Sequence, residues 1–202
     1  MTKSFSNLDV LKGKLEGKRP SLLSIFMGSN KEFIYIDIPY IDYIRGNVFV
    51  EDMKENFDDV PYNFNLSYLI YLLYDEFLTQ VKLGANHKEV ASYLINAYDQ
   101  YCTVTTQEVR VLKAVSKSSF KFETAAKEQR SQEKQVELQL KMKKSEILRG
   151  EIILHDIQEY LGEKKITIEH ILIARYLDFI NDVKKNGNSL TIQKAILSKF
   201  IS

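Results

Sequence analysis

The chain has 202 residues and a formal net charge of +1, from 28 basic and 27 acidic side chains, and 45% of it is hydrophobic. That hydrophobic share excludes global disorder, and the length allows one large domain or two small ones. A charge this balanced is unlike that of a dedicated nucleic-acid binder, which carries a clear basic surplus.

One cysteine, Cys102, excludes an intrachain disulfide framework and a cysteine-based zinc site. No run approaches the roughly 18 apolar residues of a membrane span. The start, Met1-Thr2-Lys3-Ser4, runs into polar sequence without an apolar signal core, so the expected location is cytoplasmic. Lysine outnumbers arginine 22 to 6 and tryptophan is absent. That bias fits an AT-rich genome, and the expected source is a low-GC bacterium or its phage.

The spacing of Leu8, Leu11 and Leu15 predicts a short helix over 7–16, weakened by Gly13 and Gly17. Lys18-Arg19-Pro20 is a break. Residues 21–27 are a short apolar run, a helical turn or a strand, and Gly28-Ser29-Asn30 reads as a turn. The stretch 32–50 is the one that argues for β structure. Phe33-Ile34-Tyr35-Ile36-Asp37-Ile38 is β-branched and aromatic, and Pro39 ends it. Gly46-Asn47 between two further apolar runs is a two-residue hairpin signal, so a sheet of two or three strands is expected here.

Glu51, Asp52, Glu55, Asp58 and Asp59 form an acidic patch relieved by Lys54. Their spacing fits no calcium loop, and a solvated loop or helix start is the expectation. Leu66, Leu69, Ile70, Leu73, Phe77 and Val81 predict a helix over 65–81, with Asn65 as N-cap. A second helix over 87–101 completes a helical hairpin. Its tyrosines are expected in the core wall rather than in a recognition groove.

Thr105 with Glu108 forms a capping-box pattern that predicts a helix to Val115. The small residues of 116–119 follow as a hinge. The stretch 122–161 contains no proline, one glycine (Gly150), and many Glu, Gln, Lys and Leu residues, all strong helix formers. It is read as one long helix, or two stacked end to end, with a weak point at Gly150. Its apolar set is wide from Ile147 to Leu161 and narrow before that, at Val136, Leu138, Leu140 and Met142. The expectation is therefore a helix buried in its second half and projecting in its first. Residues 105–129 resemble the first two helices of a helix-turn-helix, but the chain continues through 129–132 without a Gly or Pro turn. Thr167 is expected to cap a helix over 168–184, and Ser189 one over 190–200.

The expected fold is mainly α: a helical bundle with one long charged helix and a small N-terminal β-hairpin or three-stranded element. The expected division is an N-terminal body over 1–103, and over 104–202 the long helix with C-terminal helices packed on its second half.

No chemical motif stands out. The three histidines, His87, His155 and His170, share no metal-binding spacing. No nucleophile elbow, P-loop or dinucleotide fingerprint is present, and Cys102 reads as a buried thiol. No catalytic residue, cofactor or metal is expected. The functional expectation is a non-enzymatic protein that docks a partner, or a second copy of itself, through the projecting helix. Val136, Leu140, Lys143 and Ile147 would form the stripe, as a short antiparallel coiled-coil contact. The alternative is a nucleic-acid-associated regulator using the basic face of 117–149, with Lys127, Arg130, Lys134, Lys141 and Lys144 as its contacts. No membrane partner is expected.

Overall fold

The computed structural model describes residues 5–16, 30–102, 105–116, 119–129 and 134–201, with backbone alone described in 105–116, 119–129 and at 201. Among these residues the chain is mostly helical, as expected. The elements run α1 (Val10–Leu15), β1 (Lys31–Pro39), α2 (Tyr40–Asn56), α3 (Leu66–Lys82) and α4 (His87–Tyr101). Then follow β2 (Thr105–Ser116), β3 (Ser119–Gln129), β4 (Gln135–Lys143) and α5 (Lys144–Asp156). A 3₁₀ turn over Gln158–Tyr160, α6 (Ile168–Asn186) and α7 (Leu190–Ile201) complete the chain. The expected break at Lys18-Arg19-Pro20 and the apolar run 21–27 lie outside the described residues.

β1 pairs antiparallel with β4, from Lys31 opposite Lys143 to Pro39 opposite Gln135. Both strands alternate. Ile34, Ile36 and Ile38 of β1 and Leu140 and Met142 of β4 are buried, while Phe33, Tyr35 and Asp37 face solvent. Period-two alternation is what a sheet covered on one face requires. Here α3 packs on β4 and α6 on β1. The core runs through Leu69, Ile70, Leu73 and Phe77 of α3 to Ile171, Leu172, Tyr176 and Ile180 of α6.

Two expectations are corrected. The first is the hairpin at Gly46-Asn47, which is the interior of α2. Pro39 ends β1, and the helix starts on the next residue, where the Tyr40 N–H donates to the Lys134 carbonyl at 2.7 Å. Asn47 is not a turn residue: its side-chain amide donates to the Tyr43 carbonyl at 2.9 Å, one helical turn back. Gly46 is needed for close approach, since a Cβ there would overlap the Tyr176 hydroxyl and stand 2.6 Å from Leu66 Cδ1.

The second correction is the long helix. The stretch 122–161 is divided among β3, β4, α5 and the 3₁₀ turn, and the capping-box helix at Thr105 is β2. The residues likened to a helix-turn-helix form an antiparallel ribbon in which Thr105 lies opposite Gln129 and Leu112 opposite Phe122. The ribbon has a register irregularity between Ala114 and Ser116. β2 and β3 contact each other far more extensively than any element of the body. The physical reason lies in Gln135-Val136-Glu137-Leu138-Gln139-Leu140-Lys141-Met142-Lys143. Every second residue is apolar, and burial of that row against the core outweighs the helix propensity of Glu, Gln, Lys and Leu.

The remaining helices follow their start signals. The Asn65 side chain accepts from the Tyr68 N–H at 3.0 Å, and Asn86 accepts from Lys88 at 2.9 Å. At α6 the cap is reciprocal: Thr167 is the N-cap, and its own N–H donates to His170 Nδ1 at 3.0 Å. Tyrosines bind the α4 layer to α6. Tyr93 and Tyr101 donate to Asp178 at 2.6 and 2.7 Å, and burial with the Asp178 bond pushes the Tyr93 phenol up to about 12.

Candidate interaction surfaces

The sequence-predicted contact residues do not form one face. Leu140 and Ile147 are fully buried in the core, Val136 is half-buried on β4, and Lys143 is exposed and paired with Glu146 at 3.2 Å. A stripe of Leu140 and Ile147 is therefore not on the surface of the folded chain. Of the basic candidates, Lys127 lies in β3, where only backbone is described, and Arg130 lies outside the described residues. Lys134 precedes β4, Lys141 is on the outer face of β4, and Lys144 opens α5 in an ion pair with Glu32 at 2.7 Å. These positions belong to a loop, a strand and a helix, not to the common helical face expected.

Two surfaces stand out instead. The first is the outer side of α2. Asp42, Gly46, Phe49, Val50 and Met53 face the core. On the opposite side Ile41, Ile44 and Val48 are 48%, 38% and 49% exposed. A helix packed on one side ordinarily presents polar residues on the other. Here the i, i+3, i+7 row is aliphatic, and Glu51 and Glu55 extend it toward the C-terminal end of the helix. At the N-terminal end Tyr40 is also exposed, stacked against Tyr43, with Lys134 Nζ 4.5 Å from its ring centroid. The row is therefore basic at one end, aliphatic in the middle and acidic at the other.

α2 is held rigidly on its inner side. Asp42 is buried and pairs with Arg45 and with Lys184 of α6, each at 2.9 Å. Asp52 accepts from Asn188, and Asn56 donates to Gln193 at 3.0 Å, which ties the far end of α2 to the α6–α7 turn. A helix fixed along its whole length presents its outer row without rearrangement.

The second surface is the solvent face of the β1–β4 sheet. Phe33 and Tyr35 are 44% and 48% exposed there. The register sets Lys31 opposite Lys143, Phe33 opposite Lys141, Tyr35 opposite Gln139 and Asp37 opposite Glu137. Lys141 Nζ lies 5.8 Å from the Phe33 ring centroid, and Gln139 Nε2 donates to the Tyr35 hydroxyl at 2.7 Å.

Two groups of chemical interest have evident structural settings. Cys102 is half-buried, and burial pushes its thiol up to about 11, away from thiolate reactivity at neutral pH. The Glu151 carboxylate is fully buried, and it accepts from Ser6 Oγ, from the Val10 N–H at 3.1 Å and from the Leu11 N–H at 2.6 Å. Its work is to hold the start of α1. Among the described residues no His, Cys, Asp and Glu side chains converge into a group that could hold a metal ion, and no helix is long and apolar enough to cross a membrane.

Sequence reasoning did not single out Phe33, Tyr35, Ile41, Ile44 and Val48 as surface residues; for the last three, the expected hairpin over 40–50 set the wrong side-chain period. The available signal was that 40–56 is apolar on both sides at helical spacing. Comparison of the chain with family models, with curated proteins and with solved structures gives no match.

Proposed function

We propose that the chain is a non-enzymatic assembly protein that docks a second copy of itself through the outer row of α2. The observation that supports this is the exposed aliphatic row Ile41, Ile44 and Val48 on a helix already packed on its other side. Burying such side chains gains about 25 cal/mol per Å² of apolar area, and a row left in water forgoes that gain. The opposite charges at the two ends of the row favour a second copy as the occupant. In an antiparallel pairing that sets Ile44 against Val48 of the second copy, Lys134 beside Tyr40 approaches the Glu51–Glu55 end of the other helix. The same pairing recurs at the opposite end, as two-fold symmetry demands.

Charge reversal tests the pairing. In light-scattering mass measurements at micromolar concentration, Lys134→Glu is expected to weaken the dimer. Glu51→Lys with Glu55→Lys should weaken it too, and the triple variant should recover part of the loss. Recovery in the triple variant supports the antiparallel arrangement. Equal masses for all four proteins would overturn it.

A further inference from the structure

The solvent face of the β1–β4 sheet carries a second site, independent of α2. We infer that Phe33, Tyr35 and Lys141 form a stacking platform for single-stranded nucleic acid, two bases wide.

Three features point to that ligand. The first is spacing. Phe33 and Tyr35 are two residues apart on one face of a strand, so their Cα atoms are about 6.6 Å apart along it. That is close to twice the roughly 3.4 Å rise of stacked nucleotides, within reach of neighbouring bases in an extended strand. The second is chemistry. Aromatic faces accept any base, and cations beside them take the phosphates, the combination by which proteins hold single strands. Here Lys141 flanks Phe33, and the Lys31–Lys143 pair lies one step further toward the same end of the sheet. A base paired and stacked inside a duplex cannot lie flat on side-chain rings, so the site selects unpaired strands.

The third feature is a boundary. Asp37 lies opposite Glu137 on the same face, and like charges directly opposed are unfavourable and repel phosphate. The platform therefore ends after Tyr35, and the bound strand is directed over the Lys31–Lys143 end. Neither ring is needed for folding to the degree that a core residue is, since both are nearly half exposed.

The test is fluorescence anisotropy of a labelled twelve-nucleotide oligothymidylate, with a duplex of the same length as comparison, at 50 and 200 mM NaCl. The single strand is expected to bind, and the duplex more weakly. Phe33→Ala and Tyr35→Ala should each weaken single-strand binding about tenfold or more with the thermal midpoint held near the wild-type value. Lys141→Gln should lower the slope of log affinity against log salt by about 0.7. Asp37→Asn with Glu137→Gln should tighten binding. Ile44→Glu should leave it unchanged, which separates this site from the α2 surface. No binding to the single strand at 50 mM NaCl would overturn the inference, as would binding that is indifferent to both aromatic substitutions.

Discussion

The Tyr176 hydroxyl donates to the Asp42 carbonyl at 2.6 Å and occupies the space where a Cβ on Gly46 would stand. Gly150 and Tyr74 repeat the arrangement. The Tyr74 hydroxyl donates to the Glu146 carbonyl at 3.1 Å, and a Cβ on Gly150 would overlap it. In both cases a tyrosine from a crossing helix reaches over a glycine to the carbonyl four residues before it. Burial, first among the causes, raises both phenols well above the ordinary range, so both remain donors.

In an open helix, Gly→Ala stabilises by about 0.5–1 kcal/mol. At Gly46 the overlap reverses the sign, and Gly46→Ala should cost about 1–3 kcal/mol. In a Tyr176→Phe background the removed hydroxyl gives part of the room back, so the two costs should fall short of additive by at least ~0.5 kcal/mol. Urea denaturation of the four proteins in this cycle checks it. Additive costs would show that the glycine is not there for the hydroxyl.

Glu151 ties residues 6–11 to the core. Its carboxylate takes two N–H groups at the beginning of α1 and the Ser6 hydroxyl, while Glu169 accepts from the Asn7 N–H at 3.1 Å. Glu151→Ala takes this acceptor from the buried Ser6 hydroxyl and from two partly buried N–H groups, and should cost about 2–4 kcal/mol. Amide exchange at Val10 and Leu11 should quicken by more than at Leu69. Equal acceleration throughout would mean that the segment does not depend on this carboxylate.

His170 gives a pH dependence with a definite sign. Burial lowers its folded-state pKa below the unfolded value of about 6.5, and the charge of Glu169 opposes the shift only in part. The unfolded chain therefore takes up a proton first as pH falls. The contribution is complete above about pH 6.5 and is lost as pH drops through the folded-state value. Protonation also removes Nδ1 as the acceptor for the Thr167 N–H. His170→Gln keeps a side-chain acceptor at the same capping position, and should flatten the fall in stability between pH 7.5 and 5.5. The measurement is the denaturation midpoint across that range. Parallel curves for the two proteins would contradict this reading.

Leu154→Ala and Ile157→Ala should each cost about 2–4 kcal/mol, since both are fully buried. Leu140→Ala belongs with them. Lys134→Ala and Lys143→Ala should stay within about 0.5 kcal/mol, because both side chains are exposed. Thermal melts separate the two groups, and equal costs would contradict the burial pattern.

What the sequence disclosed follows from how local each signal is. The helices over Leu66–Lys82, His87–Tyr101 and Ile168–Asn186 were legible because an apolar face and a capping side chain agree within a few residues. The strand at Phe33 was legible from its β-branched and aromatic run, but its partner was not. The match to β4 spans about a hundred residues, and no local rule links Ile34 to Leu140. Gly46-Asn47 carried a true hairpin signature and misled, because the reason for Gly46 lies in Tyr176, 130 positions away. The alternation at Val136, Leu138, Leu140 and Met142 was visible, but it was outvoted by the helix propensity of the residues between them. The outer row of α2 became legible only once its inner side was known.

We propose that the outer row of α2 pairs two copies of the chain. Sedimentation velocity of the wild type and of Ile44→Glu, each from 1 to 100 μM, tests it directly. The expected result is a dimer mass for the wild type that falls to the monomer mass in Ile44→Glu, with an unchanged circular dichroism spectrum and thermal midpoint at low concentration. A wild-type chain that remains a monomer at 100 μM, or a dimer that Ile44→Glu leaves intact, would contradict it.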